Sequence, residues 1–86
     1  MITNDFEAVT KAIAIVMNID AATLKLETDI IDDLGAESID LVDIGFELER
    51  LTGLEIDLNK IRQLAMLNQS KRLRVQDFVE YIKAMR

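Results

Sequence analysis

Ser38 is the residue whose type and surroundings could take part in chemistry. It lies three residues after Gly35, which interrupts regular structure, and it begins a run of apolar and acidic residues. Glu37 and Asp40 lie on either side of it. A serine nucleophile needs an adjacent base, usually histidine, and the chain contains no histidine. Neighbouring carboxylates also disfavour ionisation of the hydroxyl. The pattern therefore predicts no catalytic residue, but a serine that other proteins modify.

The residues around this serine form a specific motif. Residues 32–40 have the sequence Asp-Asp-Leu-Gly-Ala-Glu-Ser-Ile-Asp, which resembles the attachment motif of acyl carrier proteins, Asp-Leu-Gly-Ala-Asp-Ser-Leu-Asp. Two positions depart from it conservatively, because Glu37 replaces aspartate and Ile39 replaces leucine. The resemblance implies that the hydroxyl of Ser38 carries 4′-phosphopantetheine, donated by coenzyme A, and that acyl groups are held on the thiol of this arm as thioesters.

The resemblance implies a carrier and not an enzyme. An acyl carrier protein is a substrate of a phosphopantetheinyl transferase and presents acyl groups to enzymes of fatty acid, lipid or polyketide biosynthesis. Two alternatives stay open: an aminoacyl or peptidyl carrier, and a helical interaction module that no longer carries the arm. A module without the arm has no need of Ser38 or of the acids beside it, which favours a carrier.

Length and composition predict one domain over residues 1–86, with a core made mostly of aliphatic side chains. The absence of cysteine and histidine excludes disulfides, thiolate metal sites and histidine catalysis. It also means that a thioester carrier must import its thiol, as the arm would. A calcium loop at Asp29, Asp32 and Asp33 is not expected, because Ile31 and Leu34 break the EF-hand spacing.

The charge is unevenly distributed along the chain, whose net charge is −6. Residues 1–57 hold 14 acids and 3 bases, whereas residues 58–86 hold 2 acids and 7 bases. The acidic part should repel nucleic acid and attract basic protein surfaces. No apolar run approaches the ~20 residues of a membrane span, and we expect no signal segment. We expect a cytoplasmic monomer.

The apolar spacing predicts an all-α four-helix bundle with a long loop between helices 1 and 2 and a short helix 3. The first helix is expected from about Asp5 to Met17, with Asn4 as its N-cap and Asn18 as a left-handed stop. Residues 19–37 are expected to form an ordered loop. The other helices are expected at about 38–52, ending at Gly53, and at 59–67 and 75–85.

Two details of the packing follow from the same spacing. The second helix is apolar over a wide arc, which predicts that it is packed on several sides at the centre of the bundle. The alternating segment 54–57 is expected to be extended, and Asp57 or Asn59 then caps the third helix.

An acidic ridge follows the remaining narrow arc of the second helix. In acyl carrier proteins, acids on this helix dock against basic patches of the enzymes that load and use the arm. By this resemblance Arg50, which stands in the ridge where an acid is usual, would narrow the set of partners. The residues expected to dock are Glu37, Asp40, Asp43, Glu47 and Glu49.

The wide apolar arc also predicts a place for the acyl chain, between the second helix and its neighbours near Phe46, Leu48 and Leu64. Gly45 lies in the middle of this helix, where glycine is costly. It either lets another helix approach closely, which is the commoner reason, or leaves space for the acyl chain.

The region between Ile56 and Val75 is longer than in a standard carrier of this family. It carries a basic stretch formed by Lys71, Arg72 and Arg74. A solvated basic loop and a specialised carrier, with its own partner enzyme or a wider acyl cavity, both stay open.

Overall fold

Four α-helices form the fold in a computed structural model that describes residues 4–67 and 73–85. They are α1 (Asp5–Met17), α2 (Ser38–Thr52), α3 (Leu58–Leu67) and α4 (Val75–Met85), with a 3₁₀ turn at Ala21–Thr23. The all-α class, the long first loop and the short third helix predicted from the sequence are confirmed. Within the described residues, none of the helices is long and apolar enough to cross a membrane.

α1 begins and ends at the predicted residues. The Asn4 side chain accepts a hydrogen bond from the backbone N–H of Glu7 at 2.6 Å, and the helix stops at Asn18 with φ 57°. Asparagine tolerates this left-handed conformation better than most residues. The middle of the apolar face, at Val9 and Ile13, is fully buried in the core.

α2 is not the central helix, because each helix of the bundle packs against two of the others. α1 packs against both α2 and α4, while α3 packs against α4 and α2. The prediction that α2 is packed on several sides is wrong, because only one face of α2 enters the core. That buried face carries Leu41, Ile44, Gly45 and Leu48. The other part of its apolar arc faces solvent, where Ile39, Val42 and Phe46 are 66%, 43% and 63% exposed.

The long loop between α1 and α2 is fastened to the segment that leads into α4. The backbone N–H of Ile30 donates to the carbonyl of Leu73 at 2.8 Å, and Asp29 forms an antiparallel bridge with Arg74. The buried carboxylate of Asp77 accepts a hydrogen bond from the N–H of Arg74 at 2.8 Å. The loop is therefore ordered, as the sequence predicts, and its partner is the start of α4.

The same contact provides hydrogen-bond acceptors for the first backbone N–H groups of α4. The first N–H groups of any helix lack partners inside the helix. Here the N–H groups of Val75 and Gln76 donate to the carbonyls of Thr28 and Leu26, each at 3.0 Å. The backbone of the loop thus caps α4. Each of the two elements supplies hydrogen-bond partners that the other needs.

The segment between α2 and α3, residues 53–57, forms no strand. Side chains accept hydrogen bonds from several of its backbone N–H groups. The N–H of Ile56 donates to the Glu49 carboxylate at 3.0 Å, and the N–H of Asp57 donates to the Tyr81 hydroxyl at 3.1 Å. The Asp57 carboxylate accepts from the N–H of Asn59 at 2.9 Å. Of the two candidate caps for α3, Asp57 is therefore the cap.

The basic stretch of the sequence falls partly outside the described residues. Lys71 and Arg72 lie outside them, whereas Arg74 is half-buried at the bridge to the long loop.

Two glycines of opposite backbone conformation offer a matched test of this fold. Gly53 ends α2 with φ 72°, where a Cβ is strained. Gly45 is helical, and a Cβ there would stand 3.6 Å from the side chain of Leu58, an ordinary contact. We expect Gly53→Ala to lower the free energy of unfolding by about 1 kcal/mol and Gly45→Ala to raise it by about 0.5–1 kcal/mol. Urea denaturation measures both, and changes of the same sign would contradict the assigned conformations.

Candidate functional site

Ser38 is the first residue of α2, and it is exposed to solvent. The N-cap before it, Glu37, has an extended backbone with φ −98° and ψ 173°. The Asp40 carboxylate accepts a hydrogen bond from the N–H of Glu37 at 2.9 Å, which fixes the start of the helix. The hydroxyl therefore stands at a helix N-terminus, where free N–H groups and the helix dipole favour an anionic phosphate.

A tight turn leads the long loop into this helix. The N–H of Ala36 donates to the carbonyl of Ile30 at 3.1 Å, and the N–H of Gly35 donates to the carbonyl of Ile31 at 3.0 Å. Gly35 has φ 70°, and the space where its Cβ would stand is open. Since Ala36 is buried, the chain is anchored two residues before the exposed serine.

The side chains of two aspartates that precede the serine, Asp29 and Asp33, stabilise this turn. One carboxylate oxygen of Asp29 accepts from the N–H groups of Ile31 and Asp32 at 2.9 and 2.8 Å. The Asp33 carboxylate accepts from the N–H of Asp29 at 2.9 Å. Such Asx-type contacts stabilise turns. The described residues contain no cluster of acidic, histidine or cysteine side chains that could hold a metal ion.

The acids predicted to dock differ in the hydrogen bonds and ion pairs that they form within the fold. Asp40 caps the start of α2, and Glu49 holds the N–H of Ile56. Asp43 is exposed, and its carboxylate has no hydrogen-bond or ion-pair partner among the described residues. The ridge predicted from spacing is therefore present on α2, but two of its acids also stabilise the fold.

Glu47 forms an ion pair with Arg50, the basic residue that interrupts the acidic ridge. One oxygen of its carboxylate accepts hydrogen bonds from two nitrogens of Arg50, at 2.8 and 3.2 Å. This hydrogen bond, with the attraction between the two charges, raises the pKa of Arg50 above its ordinary value. Arg50 thus stays positively charged and paired within α2.

An exposed apolar stripe on α2 was missed by the sequence reasoning. The stripe consists of Ile39, Val42 and Phe46, which lie three or four residues apart and therefore on one side of the helix. Asp43 borders it on one side and Glu49 on the other. The width of the apolar arc was the available signal, since apolar residues spread over most of a helix in so small a bundle cannot all reach the core.

The residues predicted to line an acyl pocket do not come together. Phe46 lies at the surface, whereas Leu48 is fully buried on the other side of α2. The side chain of Leu64 lies outside the described residues.

Phe46 instead lines an open groove of about 630 Å³ between α2, the segment before α3 with the first turn of α3, and the second half of α4. The apolar part of its wall is formed by Val42, Phe46, Ile56, Leu58 and Met85. Gly45 faces this groove, and a Cβ there would make only an ordinary contact with Leu58 at 3.6 Å, so close packing does not require the glycine.

The chain is similar to known sequences over most of its length. Residues 7–69 match the family model described as "Phosphopantetheine attachment site". The chain is 37% identical over 79 residues to an acyl carrier protein of Clostridium acetobutylicum, covering 92% of each chain. It is 33% identical over 78 residues to an acyl carrier protein of Helicobacter acinonychis, covering 91% of this chain and 90% of that one. It is 41% identical over 61 residues to acyl carrier protein AcpXL of Rhizobium etli, covering 71% of this chain and 66% of that one.

Asp40 and Asp43 lie one turn apart on α2, and only Asp40 is tied into the fold. We expect Asp40→Ala to lower the free energy of unfolding by about 1 kcal/mol, because it removes the partner of the Glu37 N–H. Asp43→Ala should leave it unchanged within about 0.5 kcal/mol. Chemical denaturation of the two variants measures this difference. Equal losses in both would mean that the hydrogen bond from Glu37 to Asp40 does not stabilise the helix.

Proposed function

This chain belongs to the acyl carrier protein family, and on that premise we propose that its phosphopantetheine arm is attached to the hydroxyl of Ser38. Members of the family carry the arm and are not themselves enzymes. A phosphopantetheinyl transferase and acyl-handling enzymes are therefore the partners that this membership implies. Of the functions that the sequence left open, the family supports the acyl carrier.

The observation that carries the assignment is an exposed serine on an anchored backbone. Ser38 faces solvent at the start of α2, while Ala36, two residues earlier, is buried and hydrogen-bonded to the long loop. A transferase can reach the hydroxyl without unfolding any element. Since the chain has no histidine to act as an adjacent base, we expect the base that activates the hydroxyl to come from the transferase.

The surroundings of Ser38 fit the group that it would hold. A phosphodiester there gains from the N-terminal N–H groups of α2 and from its dipole, and the open space beside Gly35 leaves room for it. When bound, the arm supplies the thiol on which an acyl group is held as a thioester. The chain needs this imported thiol because it has no cysteine.

Docking of partner enzymes is proposed on the exposed face of α2. Glu37 and Asp43 are exposed at or near the start of this helix, where they can meet basic patches on the loading and acyl-using enzymes. The apolar stripe between Ile39 and Phe46 would be covered in the same contact. A single domain over residues 1–86, a monomeric state and a cytoplasmic location stay predictions.

Attachment at Ser38 is tested by the intact mass of the protein before and after incubation with coenzyme A and a broad-specificity phosphopantetheinyl transferase. We expect the wild type to gain the mass of one phosphopantetheine and a Ser38→Ala variant to gain none. The other serine of the chain, Ser70, provides the control, since Ser70→Ala should gain the mass as the wild type does. A Ser38→Ala variant that is still modified would contradict the assignment.

The acyl chain is proposed to lie in the groove beside Phe46, because part of the wall of that groove is apolar and the groove begins on the helix that carries the arm. Acylated protein should then melt at a higher temperature than the unacylated holo form. Phe46→Ala should reduce this increase. Ile39→Ala, which truncates an exposed residue of the same helix outside the groove, should leave it unchanged. Calorimetry measures all three, and no increase on acylation would exclude the groove as the binding place.

A further inference from the structure

Arg50 lies on the face of α2 that partners are proposed to contact. It follows Phe46 by one helical turn and Asp43 by two turns, so all three point toward the same side. Its side chain is 63% exposed, and the side chain of its partner Glu47 is 26% exposed. The guanidinium is thus presented to any protein that covers the apolar stripe.

The ion pair changes what a partner meets on this face. A basic side chain that approaches Glu47 also approaches Arg50, because the two charges are 2.8 Å apart. The attraction to one charge is largely cancelled by the repulsion from the other. Glu47 therefore contributes little to the capture of a basic surface while Arg50 holds it.

The other acids of this face keep their negative charge, but two of them are also used within the fold. Asp40 and Glu49 accept backbone hydrogen bonds inside the fold. Asp43 is the acid of this face whose carboxylate has no partner among the described residues, and it lies beside the apolar stripe. Beyond the first turn of α2, the face thus carries the apolar stripe, Asp43 with no partner in the described part of the chain, Glu49 with its backbone hydrogen bond, and Glu47 neutralised by Arg50.

From this arrangement we propose that Arg50 is a specificity-determining residue for partner docking. By pairing with Glu47 it weakens binding of enzymes that recognise a continuous acidic ridge. It favours enzymes that meet α2 with an apolar surface of low positive charge. This inference rests on the proposed function, since it concerns the enzymes that load and use the arm on Ser38.

The test measures steady-state loading of the apo protein by a phosphopantetheinyl transferase that has a basic docking surface, with saturating coenzyme A. The wild type is compared with Arg50→Gln, Arg50→Lys and Lys11→Gln. Lys11 is exposed on α1, so Lys11→Gln makes the same change in net charge away from the docking face. Each protein is measured at low and at high salt.

We expect Arg50→Gln to lower the KM for the carrier about threefold to tenfold at low salt, with kcat unchanged, because Glu47 becomes free to attract the transferase. This decrease in KM should disappear at high salt, because salt screens the attraction between the charges. Arg50→Lys, which keeps the positive charge, should recover the wild-type KM, and Lys11→Gln should change it less than about twofold.

Three results would overturn the proposal. They are an unchanged KM in Arg50→Gln, an equal decrease in Lys11→Gln, or a higher KM in Arg50→Gln. These failures leave the assignment of Ser38 intact, because the wild type is still loaded. If the wild type and every variant stay unmodified, the proposed function itself fails, and this inference fails with it.

Discussion

Backbone hydrogen bonds between the long loop and the start of α4 are the constraint on which the functional end of the molecule depends. A connection of this length is expensive to order, since each fixed residue costs about 1–2 kcal/mol of conformational entropy. The loop offsets this cost by burying Leu24 and Ile30 in the core and by pairing with the first turn of α4. α4 gains in return, because its first N–H groups find acceptors in the loop.

The same contact determines where Ser38 stands. Ile30 donates to Leu73 through its N–H and accepts from Ala36 through its carbonyl. One residue therefore joins the start of α4 to the turn that opens α2. The helix can then expose a serine and an apolar stripe and still be ordered, because the turn before it is hydrogen-bonded to the long loop. A modifiable side chain on a rigid support is what a carrier needs, since the enzymes that act on it must find the serine in a constant position.

The local features of this fold could be predicted from the sequence, and its long-range contacts could not. Asn4, Asn18 and Gly53 end helices through their own backbone preferences and nearest neighbours, and the helix limits they imply agree with the structure. The partner of the long loop is remote in sequence, so no periodicity reveals it. The carboxylate of Glu49 and the hydroxyl of Tyr81 were equally hidden, because their acceptor roles depend on a segment without regular structure. For α2, the apolar arc was recognised, but helical spacing alone cannot tell which part of an arc faces a neighbour and which faces solvent.

The most direct test of this account is amide hydrogen exchange of the long loop under native conditions. The N–H groups of Ile30, Ala36 and Val75 each donate to a backbone carbonyl in or against the loop. If the loop and α4 hold each other, these amides should exchange with opening free energies close to those of the α1 core amides at Val9 and Ile13. Exchange of the three amides at the rate of exposed groups, with α1 still protected, would show that the loop opens independently and that the position of Ser38 is not held by α4.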